Sequence, residues 1–170
     1  MANTDFLVVG GGVIGLNVAR SLKRTFPDTQ VIVIEKEPSC GLHASGRNSG
    51  VLHAGFYYSP DSLKAKFTRD GNAQLTAYCR KKGIPLNRCG KLVVAKDVTE
   101  LPALDELLKR GKANSIKLEE LSEQDAKKIE PRAKTYQRAI FSPTTSTVNP
   151  NAVMQAMVAD ARADGVQIKS

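Results

Sequence analysis

The chain has 170 residues, room for one ordinary domain or one and a half small ones, with 25 Lys and Arg against 17 Asp and Glu, a formal net charge of +8. An apolar content of 41% with few aromatics and no Trp suits a folded core and argues against disorder. No apolar run is long enough to cross a bilayer, no leader with a cleavage site opens the chain, and Cys40, Cys79 and Cys89 match no metal-ligand spacing, so the expectation is a cytoplasmic protein in a reducing compartment with no bound metal.

The chain opens on a β-α-β pattern. Phe6 to Val9 is a short apolar run rich in β-branched residues, which predicts a buried strand. Gly10, Gly12 and Gly15 follow as G-x-G-x-x-G, with Val13 and Ile14 in the turn, then an amphipathic helix through Leu22 and a turn at Pro27 and Asp28. A second apolar strand, Val31 to Ile34, ends at Glu35 and Lys36. In this spacing Gly10 permits a tight turn, Gly12 a close approach to a pyrophosphate and Gly15 close helix–strand packing, with the phosphates on the helix N-terminus. Glu35, twenty residues after Gly15, is placed to accept from a ribose diol and would repel a 2′-phosphate, so FAD or NAD is favoured over NADP.

Lys36 to Pro60 reads as a long loop rich in Gly, Ser, His and Asn, the kind that in a compact domain is usually functional. Ser45, Asn48 and Ser49 offer neutral donors and acceptors for pyrophosphate oxygens and ring edges, Arg47 a charge for a phosphate, and Gly46, Ser49, Gly50, Ala54 and Gly55 are small enough for backbone to approach a flat ring or a phosphate. Asp61 is expected to cap a helix through Lys82 with Leu63, Phe67, Leu75 and Tyr78 on its apolar face, ended by Gly83. Then come a strand over Gly90 to Ala95, a helix over Thr99 to Lys112, a short helix capped by Ser122 and stopped by Pro131, and a strand over Tyr136 to Phe141. A loop follows over Ser142 to Asn149, then a helix over Asn151 to Asp164 and the start of a strand from Val166. That last strand is expected beside the second, giving the order 3-2-1. The basic residues Lys64, Lys66, Arg69, Arg80, Lys81, Lys82, Arg88 and Lys91 read first as a solvated face and second as attraction for an anionic small molecule. No basic run carries interleaved aromatics, so nucleic acid is not an expected partner.

The stretch His43-Ala44-Ser45-Gly46-Arg47-Asn48-Ser49-Gly50-Val51-Leu52-His53-Ala54-Gly55, followed by Tyr57-Tyr58, Ser62 to Lys66, Cys89-Gly90-Lys91-Leu92 and Val148-Asn149-Pro150, resembles the FAD-dependent oxidoreductases of the D-amino-acid oxidase superfamily, and within them the L-2-hydroxyglutarate dehydrogenase/oxidase family. The resemblance implies a fold class of α/β: a Rossmann-like FAD/NAD(P)-binding domain with an inserted α+β substrate domain, truncated at the carboxy terminus. The expected divisions are 1–57 for the FAD-binding unit and flavin loop, 58–145 for a partial substrate domain and 146–170 for the return to the first. It further implies FAD as cofactor, held by Gly10, Gly12, Val13, Ile14, Gly15, Glu35, Lys36, Ser45, Arg47, Asn48, Ser49, Gly50 and Val51. His53 is the candidate catalytic base, a small anionic 2-hydroxy acid the substrate, and oxygen or a quinone the electron acceptor, which leaves peripheral membrane association open. Lys64, Lys66 and Lys91 are candidates for attracting a dicarboxylate. Another enzyme of the superfamily acting on an amino acid or glycerol 3-phosphate, a nicotinamide-binding module and an inactive dinucleotide-binding fragment are the alternatives.

Overall fold

The computed structural model describes residues 4–170. In chain order the elements are β1 (Phe6–Val9), α1 (Val13–Thr25), β2 (Val31–Ile34), β3 (Val51–Leu52), α2 (Leu63–Lys81), β4 (Leu86–Asn87) and β5 (Lys91–Val94), then α3 (Leu101–Ala113), β6 (Glu119–Ser122), α4 (Glu123–Ile129), β7 (Arg138–Ser142), β8 (Ser146–Val148), α5 (Pro150–Ala163) and β9 (Gln167–Lys169). They fall into two units, one made of the chain up to Gly50 together with Asn149–Ser170, the other of Val51–Val148.

The first unit is a parallel sheet in the order β1-β2-β9, the arrangement expected of a doubly wound start. Phe6 pairs with Val31 and Ile32 with Gln167. The unbroken apolar run explains the central place of β2: Val31, Ile32 and Val33 are all buried, as a strand covered on both faces requires. Against it α1 buries Leu16 and Ala19, and α5 buries Val153, Met154, Met157 and Ala161. Asn149 starts α5 by accepting N–H bonds from Asn151 and Ala152, with Pro150 in the first turn where a missing N–H costs nothing. Arg20 of α1 bridges Asp160 at 3.3 Å and Asp164 at 2.9 Å on α5, and Arg24 reaches Asp164 at 3.0 Å.

The second unit holds two antiparallel sheets, ordered β3-β8-β4 and β5-β7-β6. One apolar cluster gathers Ala54, Phe56 and Ile116, another Ala95, Leu104 and Ile140. The expected loop over Ser142 to Asn149 contains β8, the central strand of its sheet, and the expected strand from Tyr136 starts at Arg138 because Gln137 sits at φ 60°. Helix α2 is capped one residue later than expected: Ser62, not Asp61, accepts the Ala65 N–H at 3.1 Å. Its inward face carries Ala65 and Cys79, while Leu63 and Phe67 are 68% and 63% exposed. At 100° per residue, positions 63 and 67 each lie about 200° from Ala65, so they cannot share its face. Among the described residues no helix is long and apolar enough to cross a membrane.

Candidate cofactor site

The glycine turn of the first unit is built from three strokes of chain. Gly10 leaves β1 at φ +101° and donates its N–H to the Ile34 carbonyl at 2.8 Å, tying the turn to the end of β2. Gly15 packs where a Cβ would strike the Gly10 carbonyl, so α1 can begin this close to β1 only without a side chain there. The cap position, Gly12, has no side chain to offer the first amides of α1. Ser45, arriving from the loop, supplies what Gly12 lacks: its Oγ accepts the Val13 N–H at 3.0 Å. The N–H groups of Ile14 and Gly15 have no partner among the described residues, and they sit at the positive end of the helix dipole. That is an anion cradle.

Glu35 stands at its side. Its Oε2 accepts the Gly11 N–H at 2.7 Å and its Oε1 the Glu37 N–H at 3.0 Å. These two amides, the Glu37 one foremost, hold the carboxyl below the usual glutamate range, so it stays an ionised acceptor with lone pairs left for a ribose diol. Gly11 and Cys40 are the residues that the spacing rule misses. A Cβ on Gly11 would come within 2.5 Å of Cys40 Sγ and 3.0 Å of Glu35 Oε2. The fingerprint leaves that position free; only the third consecutive glycine in Gly10-Gly11-Gly12 hinted at it.

The rest of the loop is held internally. His43 Nε2 meets Glu37 Oε1 at 2.9 Å, and this contact is the main cause that lowers the Glu37 pKa. Lys36 is 77% exposed, with Glu37 at 3.7 Å its ion-pair partner. Asn48 spends its amide hydrogens on the Ala44 and Ser45 carbonyls and its oxygen on the Gly50 N–H, all at 2.9 Å, so it shapes the loop with every donor engaged. Arg47 and Ser49 are exposed and available, and Gly50 turns at φ +68°. Gly10, Gly12, Val13, Ile14, Gly15, Glu35 and Ser45 are thus brought together, with Lys36, Arg47, Asn48, Ser49 and Gly50 elsewhere in the same unit.

Val51 and His53 belong to the second unit. Val51 pairs with Thr147. His53 follows β3, its side chain exposed and its carbonyl accepting from Asn72 at 3.2 Å. Partial desolvation of the ring, and after it the Lys91 ammonium, push its pKa below the ordinary histidine value. Lys91 itself lies 4.5 Å over the Tyr57 ring and Lys64 4.6 Å over that of Tyr58, so both tyrosine faces serve as platforms for cations.

Open amides at a helix start, a glycine turn that no Cβ could share and an ionised acid at the end of β2 suit a dinucleotide with two free ribose hydroxyls. Together with the parallel sheet they define a Rossmann-type nucleotide-binding fold. The chain belongs to the DAO family of FAD-dependent oxidoreductases, whose family model matches residues 5–170. It is 42% identical over 161 residues to the mitochondrial L-2-hydroxyglutarate dehydrogenase of Mus musculus, covering 94% of this chain and 34% of that protein. With the L-2-hydroxyglutarate dehydrogenase of Escherichia coli O17:K52:H18 it shares 38% over 164 residues, 96% of this chain and 39% of the relative. Among solved structures, L-α-glycerophosphate oxidase from Mycoplasma pneumoniae with FAD bound superposes with a TM-score of 0.87 at 30% identity, over 99% of this chain and 44% of that one. Glycine oxidase from Geobacillus kaustophilus shares the fold, with a TM-score of 0.84 at 24% identity, covering 98% and 46%. The chain therefore spans about a third to two fifths of the length of the curated relatives it matches, and FAD is the cofactor of the family it joins.

Proposed function

We propose that the protein oxidises L-2-hydroxyglutarate, or a close 2-hydroxy acid, to the 2-oxo acid. The observation that carries this reading is the 42% identity to an L-2-hydroxyglutarate dehydrogenase over 161 residues, a span that takes in both the glycine turn and His53. FAD, when bound, supplies the two-electron acceptor for the hydride that leaves the substrate α-carbon. In this proposal the N–H groups of Ile14 and Gly15, with Ser45 beside them, hold the pyrophosphate. Glu35 takes the ribose hydroxyls, Lys36 flanks the nucleotide, and Arg47, Ser49, Gly50 and Val51 contribute further contacts. Asn48 keeps the loop in shape for them.

His53 takes the hydroxyl proton. Because its pKa lies below the ordinary value, the ring is neutral at pH 7 and its free nitrogen can accept. Lys91 and Lys64 favour an acid substrate by charge. The electron acceptor is oxygen or a quinone, and the location is cytoplasmic or peripheral at the inner membrane face.

The test is an anaerobic absorption spectrum of the protein loaded with FAD and mixed with L-2-hydroxyglutarate. Bleaching of the flavin band is expected, and His53→Ala should slow it by about 10²- to 10⁴-fold. A flavin band indifferent to L-2-hydroxyglutarate but bleached by glycerol 3-phosphate would favour a second reading, which the likeness to the Mycoplasma oxidase supports. Reoxidation by oxygen against a soluble quinone decides the acceptor.

A further inference from the structure

The second unit carries a cleft of about 350 Å³ between α2 and the turn joining β7 to β8. Asn72, Thr76 and Arg80 line one wall at four-residue spacing, which puts them on one face of α2; Thr144, Ser146 and Arg88 line the other. No carboxylate contributes to the lining. Neither guanidinium enters an ion pair or hydrogen bond with any described residue, although acids partner many of the other arginines, among them Arg20, Arg110 and Arg138.

The walls are fixed. Asn72 donates to the Leu52, His53 and Thr144 carbonyls at 2.9, 3.2 and 3.3 Å, locking α2 to the turn. The Ser142 and Thr145 hydroxyls bond each other at 3.0 Å inside that turn, and the Gly90 N–H donates to the Thr145 carbonyl at 3.1 Å, setting the chain that bears Arg88. Ser146 is only 4% exposed, yet its hydroxyl bonds to no described residue. Every fully sealed side-chain polar atom among the described residues has a partner, so this oxygen keeps some access to solvent, and its residue lines the cleft. A nearly buried hydroxyl without a bond, lining one cleft with two exposed arginines that have no acid partner, is an incomplete set of donors.

We propose that this cleft binds a small oxyanion, a phosphate or a carboxylate group, at a place separate from the glycine turn. The Arg80 and Arg88 forks close on its oxygens from two sides and the Ser146 hydroxyl donates from below. The site is independent of the reaction assigned above, and it turns two members of the basic set from solvated surface into ligand contacts.

The experiment is an NMR titration of the isotope-labelled 170-residue chain, reading the side-chain Nε–H signals of Arg80 and Arg88 and the Ser146 amide. Inorganic phosphate, glutarate and chloride are compared at matched ionic strength. Saturable shifts of all three probes with phosphate or glutarate, absent with chloride, are expected. Saturation by phosphate alone identifies a phosphate site, by glutarate alone a carboxylate site. The paired change Arg80→Gln and Arg88→Gln should raise the half-saturating concentration about tenfold or more, and Ser146→Ala by a smaller factor. Shifts that grow linearly, that chloride reproduces, or that the paired variant leaves unchanged would overturn the proposal.

Discussion

At the scale of single residues the glycine turn is also sensitive at a position its fingerprint ignores. Gly11→Ala places a methyl group against Cys40 Sγ and Glu35 Oε2, and overpacking of this kind costs about 1–3 kcal/mol. We expect weaker FAD binding, read by flavin fluorescence, and partial recovery when Cys40→Ala makes room. Glu35 ties the same turn to pH. Its folded pKa lies below the unfolded value, so its contribution to stability is complete above the ordinary glutamate range and is lost as pH falls through the folded value. Urea unfolding at pH 7 and pH 3 should lose part of its pH dependence in Glu35→Gln. His53 runs the same way in a higher pH window. Its folded pKa is depressed, so protonation favours the unfolded chain and stability falls as pH drops below the ordinary histidine value. In an NMR titration Lys91→Met should raise the His53 pKa toward the ordinary value without reaching it, because desolvation of the ring is the larger cause and remains.

At the scale of elements, α1 and α5 are joined by charge as well as by packing. Desolvation pushes the Asp164 carboxyl up, but the Arg20 and Arg24 guanidiniums together outweigh it and hold its pKa below the usual range. Arg20→Met removes a shared cation from Asp160 and Asp164, Asp164 keeping Arg24, and should cost about 1 kcal/mol in urea unfolding at pH 7. The deficit should narrow as pH falls through the folded Asp164 pKa, where the wild-type pair is lost too. Legibility in the sequence also differs by element. β1, α1 and β2 were readable because each carries its own signal, an unbroken apolar run, a glycine turn or a helical period, and β9 from the alternation of Val166 to Lys169 after Gly165. β6 and β8 were not. Glu119-Glu120-Leu121-Ser122 shows no apolar run, and it becomes a strand through partners far along the chain, Arg138 reaching Glu120 at 2.9 Å across to β7. Ser146 to Val148 looks like a loop by composition yet pairs with strands on both sides. Short strands made by distant pairing leave no local pattern.

At the scale of the whole molecule, the two units should respond differently to cofactor. FAD binding is expected to slow amide hydrogen exchange at residues 10–15, 35–37 and 45 of the first unit while leaving α3 and β6 of the second unchanged; uniform protection of both would count against the proposed contacts. The candidate site was legible to the same degree as the fold: Gly10, Gly12, Gly15, Glu35 and Ser45 followed from spacing and chemistry. The Gly11–Cys40 contact and the inward use of Asn48 did not, because both depend on how the loop folds back. The interleaving of the units also sets a timetable. β2 leaves the ribosome early but keeps one edge bare until Gln167 to Lys169 arrive, on the order of ten seconds later at bacterial rates of synthesis. During that wait the second unit, contiguous from Val51 to Val148, can fold alone, while Ile32 to Ile34 offer a sticky strand edge to whatever is near. A nascent chain of this design therefore keeps that edge open until translation has passed Val148 and reached β9.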